Sequence, residues 1–161
     1  MRVKHFLIFT GFLGWCLTGF TQKINIGLYN ESLLKAVAVN IKQGQYVLTD
    51  SSGFSLNANP NTAYFFTIKN DSILVFSENK FIGANKTVYL IPVSDECFFS
   101  VKPTEPLLSR KTFDDGLKIL VKWGVLQLVN KTDIDKYVSG VVEAEGGPRC
   151  QSEYYKSQAL L

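Results

Sequence analysis

The sequence contains few of the side chains on which common catalytic and metal sites depend. It has one histidine, His5, and three cysteines in 161 residues. His5 lies in an N-terminal segment that we expect to be removed, which would leave the mature chain without histidine. A Ser-His-Asp or Cys-His catalytic group and a histidine-based zinc site therefore cannot be assembled from this chain alone. Carboxylates, tyrosines and lysines remain, and we expect neither a metal ion nor a cofactor.

The chain also has little net charge. Removal of Arg2 and Lys4 with the N-terminal segment reduces 17 basic side chains to 15, against 14 acidic ones. Proteins that bind nucleic acid usually carry a strong basic excess, because they neutralise phosphates. The composition therefore predicts no nucleic-acid partner.

Residues 1–22 are typical of a secretory signal peptide. Arg2 and Lys4 precede an apolar run over residues 6–20, and polar residues follow at once. The run is shorter than the roughly 20 apolar residues that span a bilayer. We expect export to the periplasm or cell envelope, with a mature chain that begins near residues 21–23. A retained N-terminal anchor is the alternative.

From residue 23 to 130 the pattern is that of successive strands. Short segments rich in Val, Ile, Tyr and Phe are separated by Gly, Asn, Asp and Ser. Their close spacing favours antiparallel neighbours. Residues 50–61 are interpreted as a loop or a hairpin. The predicted strands are 23–29, 36–41, 45–48, 63–68, 72–76, 87–91, 117–121 and 125–129.

The last two predicted strands flank Lys122-Trp123-Gly124 and form a plausible hairpin. Trp123 has two interpretations: a packing residue in the core or at a sheet edge, or a surface on which a sugar stacks. Cys97 and Cys150 also leave two alternatives open. In an exported chain they could pair, or they could be two buried free thiols.

The last thirty residues change period. Apolar side chains recur at i, i+3, i+4, i+7 and i+8, which predicts a helix over residues 133–144. Thr132 is the predicted N-cap, and acidic side chains in the first turn complement the helix dipole. A second helix is predicted over residues 152–161, after an exposed turn at 145–149. The apolar positions of the first helix are Ile134, Tyr137, Val138, Val141 and Val142.

Glu143 and Glu145 fall at the negative end of the first predicted helix. A carboxylate there is disfavoured by roughly 0.3–1 kcal/mol. A destabilised carboxylate holds its proton more readily, as a general acid requires. The alternative is that both are exposed glutamates at a frayed helix end.

A family resemblance bears on these glutamates. From Asn130 the chain reads N-x-x-x-I-D-x-Y-V-x-G-V-V-x-x-E, and from Glu153 it reads E-x-x-K-x-Q-A. This stretch resembles the stage II sporulation protein D (SpoIID/LytB) family, whose glutamate before Met-Pro falls on Glu145 without a gap. Gly146 and Gly147 replace the Met-Pro of that family, and Tyr154 and Tyr155 replace Ala-Leu.

The resemblance implies a role in peptidoglycan metabolism. Family relatives act as lytic transglycosylases that cleave glycan strands with a single glutamate, which would be Glu145 here. The LytB branch implies the alternative, a non-catalytic cell-wall-binding module that enhances an N-acetylmuramoyl amidase. Peptidoglycan glycan strands, and in the second case the amidase, are the expected partners. The supporting or substrate-binding residues implied around Glu145 are Glu143, Glu153, Tyr154, Lys156 and Gln158.

These patterns together predict an α+β fold, with an antiparallel β-rich body followed by two C-terminal helices. The expected organisation is a signal peptide over residues 1–22, a β-rich region over 23–105 and the start of a SpoIID/LytB domain over 106–161. The second helix still builds an apolar face at Leu161, so we expect a chain that lacks the rest of that domain.

Overall fold

The computed structural model describes residues 22–94 and 96–146, which form twelve β-strands and one α-helix. The helix, α1, spans Ile134–Gly146. The strands are β1 (Lys23–Leu28), β2 (Ala36–Gln43), β3 (Tyr46–Asp50), β4 (Ser55–Ala58), β5 (Ala63–Lys69), β6 (Ser72–Ser77), β7 (Lys80–Asn85), β8 (Thr87–Pro92), β9 (Phe98–Glu105), β10 (Lys111–Asp114), β11 (Gly116–Lys122) and β12 (Val125–Asp133).

The strands form two six-stranded sheets in which every neighbouring pair is antiparallel. The first sheet has the order β1-β12-β11-β8-β3-β4, and the second has the order β10-β9-β2-β5-β6-β7. Pairs such as β1 with β12 join segments that are far apart in the chain, with Leu28 opposite Leu128. The predicted antiparallel arrangement is confirmed.

The two sheets pack face to face around one hydrophobic core. Alternate side chains point inward along strands such as β2, where Val37, Val39 and Ile41 are buried in the core. Tyr46 of the first sheet meets Phe99 of the second edge to face, with ring centroids 6.1 Å apart. Burial of one such aromatic side chain stabilises the fold by about 1.5–3 kcal/mol. The body is therefore a β-sandwich.

Three of the hairpins turn through two residues with positive φ. These pairs are Asn70-Asp71, Glu78-Asn79 and Trp123-Gly124. Such turns match the right-handed twist of the paired strands, and Asn, Asp and Gly adopt them at least cost. The hairpin predicted around Trp123 is confirmed, with a bulky residue in a conformation that usually suits a small one.

The predicted fold class is wrong. The described residues form a sandwich that is mostly strand and carries a single helix, not an α+β body followed by two helices. The second predicted helix, over residues 152–161, lies outside the described residues. The first begins at Ile134 and continues to Gly146, two residues beyond its predicted end. Glu145 therefore belongs to the helix and not to a turn.

All eight predicted strands coincide with observed ones, and four strands were missed for identifiable reasons. β4 is short and polar and lies within the segment interpreted as a loop or hairpin. β7 contains Gly83 and pairs with β6 through a register shift. β10 is a four-residue edge strand. β9 contains Pro103, which weakens a strand pattern because proline cannot donate to a sheet ladder.

Candidate functional site around helix α1

Helix α1 grows directly out of strand β12, without a loop. Its first N–H group, that of Ile134, donates to the Gln22 carbonyl at 3.0 Å. The N–H of Asp135 donates to Oδ1 of Asp133 at 2.9 Å, so Asp133 caps the helix. The predicted N-cap, Thr132, is wrong. Thr132 is the buried penultimate residue of β12, because its inward position on the strand turns the side chain into the sandwich.

The side chain of Asp115 holds the base of the helix. Asp115 lies between β10 and β11 with a φ of 62° and is only 5% exposed. Its Oδ2 accepts from the Thr132 hydroxyl at 3.2 Å and from the Asp133 N–H at 2.9 Å. Its Oδ1 accepts from the Lys136 ammonium at 2.7 Å. One carboxylate thus joins the β10–β11 turn, the end of β12 and the first turn of α1.

These contacts set the charge state of the pair. Burial alone would raise the pKa of Asp115, but the Lys136 ammonium, the Asp133 N–H and the Thr132 hydroxyl outweigh it, so the pKa is lowered. The hydrogen bond to Asp115 raises the pKa of Lys136 in turn. Asp115 is therefore an ionised structural group at neutral pH and not a proton donor.

Asn130 of strand β12 also holds the β10–β11 turn in place. Its side-chain amide donates to the Asp114 carbonyl at 2.7 Å and to the Gly116 carbonyl at 2.8 Å. Asn130 is buried at an inward position of β12, between Leu128 and Thr132. A polar residue at such a position is the one sequence signal that could have identified this cluster. Asp115 itself carries no comparable signal.

The far end of α1 carries the predicted glutamates. Glu143 is exposed, and no basic residue stands in the last helical turn. Glu145 is the penultimate residue of the helix, followed by Gly146. A helix of 13 residues is about 20 Å long, so these glutamates lie far from the Asp115 cluster. The other predicted site residues, which are Glu153, Tyr154, Lys156 and Gln158, lie outside the described residues.

The sandwich covers only part of the apolar face of α1. Val142 is buried, whereas Tyr137 is 42% exposed and Val138 is 37% exposed. The helix that this periodicity predicted is confirmed. The described residues bury only part of its apolar stripe. An apolar stripe on a helix usually faces a packing partner.

Trp123 stands at the opposite end of the first sheet, on the β11–β12 turn. It is 82% exposed, with a φ of 53°. The Lys122 ammonium lies 4.1 Å from the centre of its ring. A bulky residue in the left-handed region costs of order 1–3 kcal/mol and commonly marks a functional position. The interpretation of Trp123 as a packing residue is therefore wrong, and sugar stacking stays a prediction.

Cys97 is a free thiol in the core, beside the tight Gly44 turn. Its Sγ lies 3.4 Å from the Gln45 carbonyl oxygen, to which the thiol donates. Cys150 lies outside the described residues. Of the two alternatives for these cysteines, the structure describes a buried thiol at Cys97.

Within residues 22–94 and 96–146, no three His, Cys, Asp or Glu side chains are placed to hold a metal ion together. No helix in this part of the chain is long and apolar enough to cross a bilayer. Comparison of the chain with family models, with curated proteins and with solved structures finds no match.

Proposed function

We propose that the protein is an exported peptidoglycan-remodelling enzyme of SpoIID/LytB type, with Glu145 as the acid/base of a lytic transglycosylase. The observation that carries this proposal is the position of Glu145 in the last turn of α1. That turn contains no basic residue, while the helix base is tied to the sandwich through Asp115 and Lys136. The helix contains I-D-x-Y-V-x-G-V-V-x-x-E, the first part of the motif on which the resemblance depends.

The chemistry requires one carboxyl group. Protonated Glu145 gives its proton to the glycosidic oxygen as the bond from that oxygen to the anomeric carbon breaks. The resulting carboxylate then accepts the proton of the sugar's own 6-hydroxyl, whose oxygen bonds to the anomeric carbon and closes an anhydro ring. No water is consumed and no second carboxylate nucleophile is needed, in contrast to the usual pair in glycosidases.

The helix end supports this role electrostatically. The last four carbonyl groups of a helix lack helical partners and carry partial negative charge. A carboxylate beside them is disfavoured, so the protonated form is favoured relative to an exposed glutamate elsewhere. Glu143, two residues earlier on the helix, has the same side chain, so its substitution distinguishes a supporting glutamate from the acid itself.

The test uses the full-length protein on purified glycan strands, with and without stem peptides. Glu145→Gln keeps the size of the side chain and removes the acid. We expect it to abolish release of anhydro-muropeptides, measured by liquid chromatography and mass spectrometry, whereas Glu143→Gln, at a supporting position, reduces release without abolishing it. Loss of release in Glu143→Gln alone would overturn the assignment of Glu145.

A second candidate is the non-catalytic wall-binding module that enhances an amidase. It is favoured by one observation, the strained and exposed Trp123 on a β-sandwich. Under this alternative both glutamate variants stimulate a purified N-acetylmuramoyl amidase as the wild-type protein does, and neither the variants nor the wild type release anhydro products.

A further inference from the structure

A groove on the outer face of the first sheet is lined by three lysines. It lies across β1, β12, β11 and β8 and encloses about 410 Å³. We call it the lysine groove; the side chains that define it are Lys23, Asn25, Tyr89, Lys118 and Lys131, with Gly116 in its wall. Helix α1 begins at the border of the lysine groove, because Lys131 lies only two positions before the capping residue Asp133.

Gly116 keeps the groove open. It stands opposite Lys131 in the β11–β12 ladder, where any other residue would place a side chain on the sheet surface. A Cβ atom at this position would lie 3.4 Å from the Leu90 carbonyl and 3.6 Å from a Pro92 side-chain atom. The backbone of β11 and the apolar residues Ile91 and Pro92 of β8 therefore form a floor that a flat ligand can approach.

The charge of the groove has one sign. No acidic side chain lines it, and its charged lining residues are three lysines. Asp133 is opposite Lys23 in the β1–β12 ladder and keeps its negative charge while its Oδ1 accepts the capping N–H of α1, so Lys118 and Lys131 supply the net positive charge of the groove. The Lys118 ammonium lies 5.7 Å from the centre of the Tyr89 ring, so cationic and aromatic surfaces are adjacent. The site is complementary to an anion that also has an apolar face.

We propose that the lysine groove is a glycan subsite that binds the carboxylate-bearing sugars of a peptidoglycan strand. This inference rests on the proposed function and adds a second contact surface to it, on the sandwich instead of on α1. Where the stem peptide has been removed, the lactyl ether of each muramic acid carries one free carboxylate, which pairs with a lysine. The C–H face of a sugar ring packs on Tyr89, and the Asn25 amide meets ring hydroxyl groups.

The composition of the groove favours a carboxylated sugar over a nucleic acid. The groove contains one aromatic side chain and no arginine, whereas single-strand binders combine several stacking rings with an extended basic channel. The mature chain as a whole is almost neutral, so it has no long-range attraction for a polyphosphate.

The test measures binding of full-length Glu145→Gln protein to purified glycan strands without stem peptides, by isothermal titration calorimetry. The same strands with their carboxylates amidated, chitin oligosaccharides and a single-stranded DNA oligonucleotide are the comparison ligands. The double variant Lys118→Gln/Lys131→Gln removes two charges from the groove. The matched control, Lys69→Gln/Lys102→Gln, removes two charges from strands of the second sheet.

We expect the groove variant to bind the carboxylated strand about fivefold to tenfold more weakly, since each exposed ion pair contributes modestly. Amidation of the strand should weaken wild-type binding by a similar factor, and added salt should reduce the difference. Equal loss in the two double variants, undiminished affinity for the amidated strand, or equal affinity for the oligonucleotide would each overturn the proposal.

The outcome is separable from that of the proposed function. If wild-type protein releases anhydro products while the groove variant binds normally, the groove proposal alone fails. If the wild type releases none while the groove variant loses binding to the carboxylated strand, the groove is supported and the transglycosylase assignment fails. Thermal melting of both double variants verifies that any loss of binding does not come from unfolding.

Discussion

The ammonium group of Lys136 lies 2.7 Å from Oδ1 of Asp115, although the two residues are 21 positions apart. Lys136 belongs to the first turn of α1, and Asp115 to the turn between the two sheets. The contact therefore fixes the direction in which the helix leaves the sandwich. Any function of the glutamates at the far end of α1 depends on that direction.

Substitution of Asp115 should test the importance of this contact for stability. In Asp115→Asn the side chain still tolerates a positive φ, but the charged acceptor of three hydrogen bonds is lost. We expect the free energy of unfolding to fall by about 1.5–3 kcal/mol, as measured by urea denaturation. Asp71→Asn is the matched control, since Asp71 also has a positive φ but pairs with Lys86 only at the surface. That change should stay within about 0.5 kcal/mol.

The acid dependence of stability should differ between the wild type and Asp115→Asn. The pKa of Asp115 is lower in the folded protein than in the unfolded chain. The contribution of Asp115 to the free energy of unfolding is therefore complete above pH 3.9, which is about the pKa of aspartate in the unfolded chain. It is lost as the pH falls below that value. Burial would raise the pKa of Asp50, but hydrogen bonds from Ser52 and Phe54 lower it overall. Asp50 therefore adds its own acid-sensitive contribution to stability. Urea denaturation from pH 6 to pH 2.5 should show a steeper decline in the wild type; parallel curves would contradict this expectation.

Ionisation of Tyr46 should account for part of the loss of folding stability at high pH. Burial raises the pKa of Tyr46 far above its usual value, and the nearby Cys97 and acidic groups raise it further. Its hydroxyl is buried without a hydrogen-bond partner among the described residues. Because the pKa of Tyr46 is higher in the folded protein, its contribution to stability is complete below pH 10, which is about the pKa of tyrosine in the unfolded chain. The contribution is lost as the pH rises above that value.

Tyr46→Phe removes both the unpaired hydroxyl and the ionisation. We expect it to raise the free energy of unfolding at pH 7 by about 1 kcal/mol and to flatten the loss of stability above pH 10. Urea denaturation at pH 7 and above pH 10 measures the two effects. Tyr137→Phe, at an exposed position of α1, should change neither; a destabilised Tyr46→Phe would show that the hydroxyl has an unidentified favourable contact.

Replacement of Trp123 should separate folding from binding. Asparagine tolerates the left-handed conformation better, so Trp123→Asn should stabilise the protein by about 1 kcal/mol. If the ring stacks on a sugar, the same variant should bind glycan strands roughly threefold to tenfold more weakly, whereas Trp123→Tyr retains most of the affinity. Thermal melting and calorimetry measure the two quantities. Unchanged binding by Trp123→Asn would eliminate the stacking role.

Export is tested by N-terminal sequencing of the protein recovered from the cell envelope. We predict a mature chain that begins near residues 21–23, immediately before β1 at Lys23. A signal peptide is cleaved after its apolar segment, and glycan strands lie outside the cytoplasmic membrane. Recovery of a chain that starts at Met1 would instead support a retained anchor.

Local patterns determined much of this protein by themselves. Alternation of apolar side chains predicted eight strands, because successive strand residues point to opposite faces. The change of period at Thr132 predicted helix α1, and the two apolar segments that flank Lys122-Trp123-Gly124 predicted their hairpin. Each of these features depends on residues within a few positions of one another. Such interactions are visible in a linear sequence.

The tertiary structure alone decided which strands meet and what Thr132 and Asp115 do. Thr132 has the sequence of an N-cap, yet it remains in β12, because β1 pairs with the strand through Asp133 and Asp115 accepts its hydroxyl. Asp115 is one of 14 acidic residues, and only the packing of the β10–β11 turn against α1 distinguishes it. The lysine groove likewise gathers side chains from β1, β8, β11 and β12. Contacts between distant segments follow from the burial of the whole core, which no local pattern specifies.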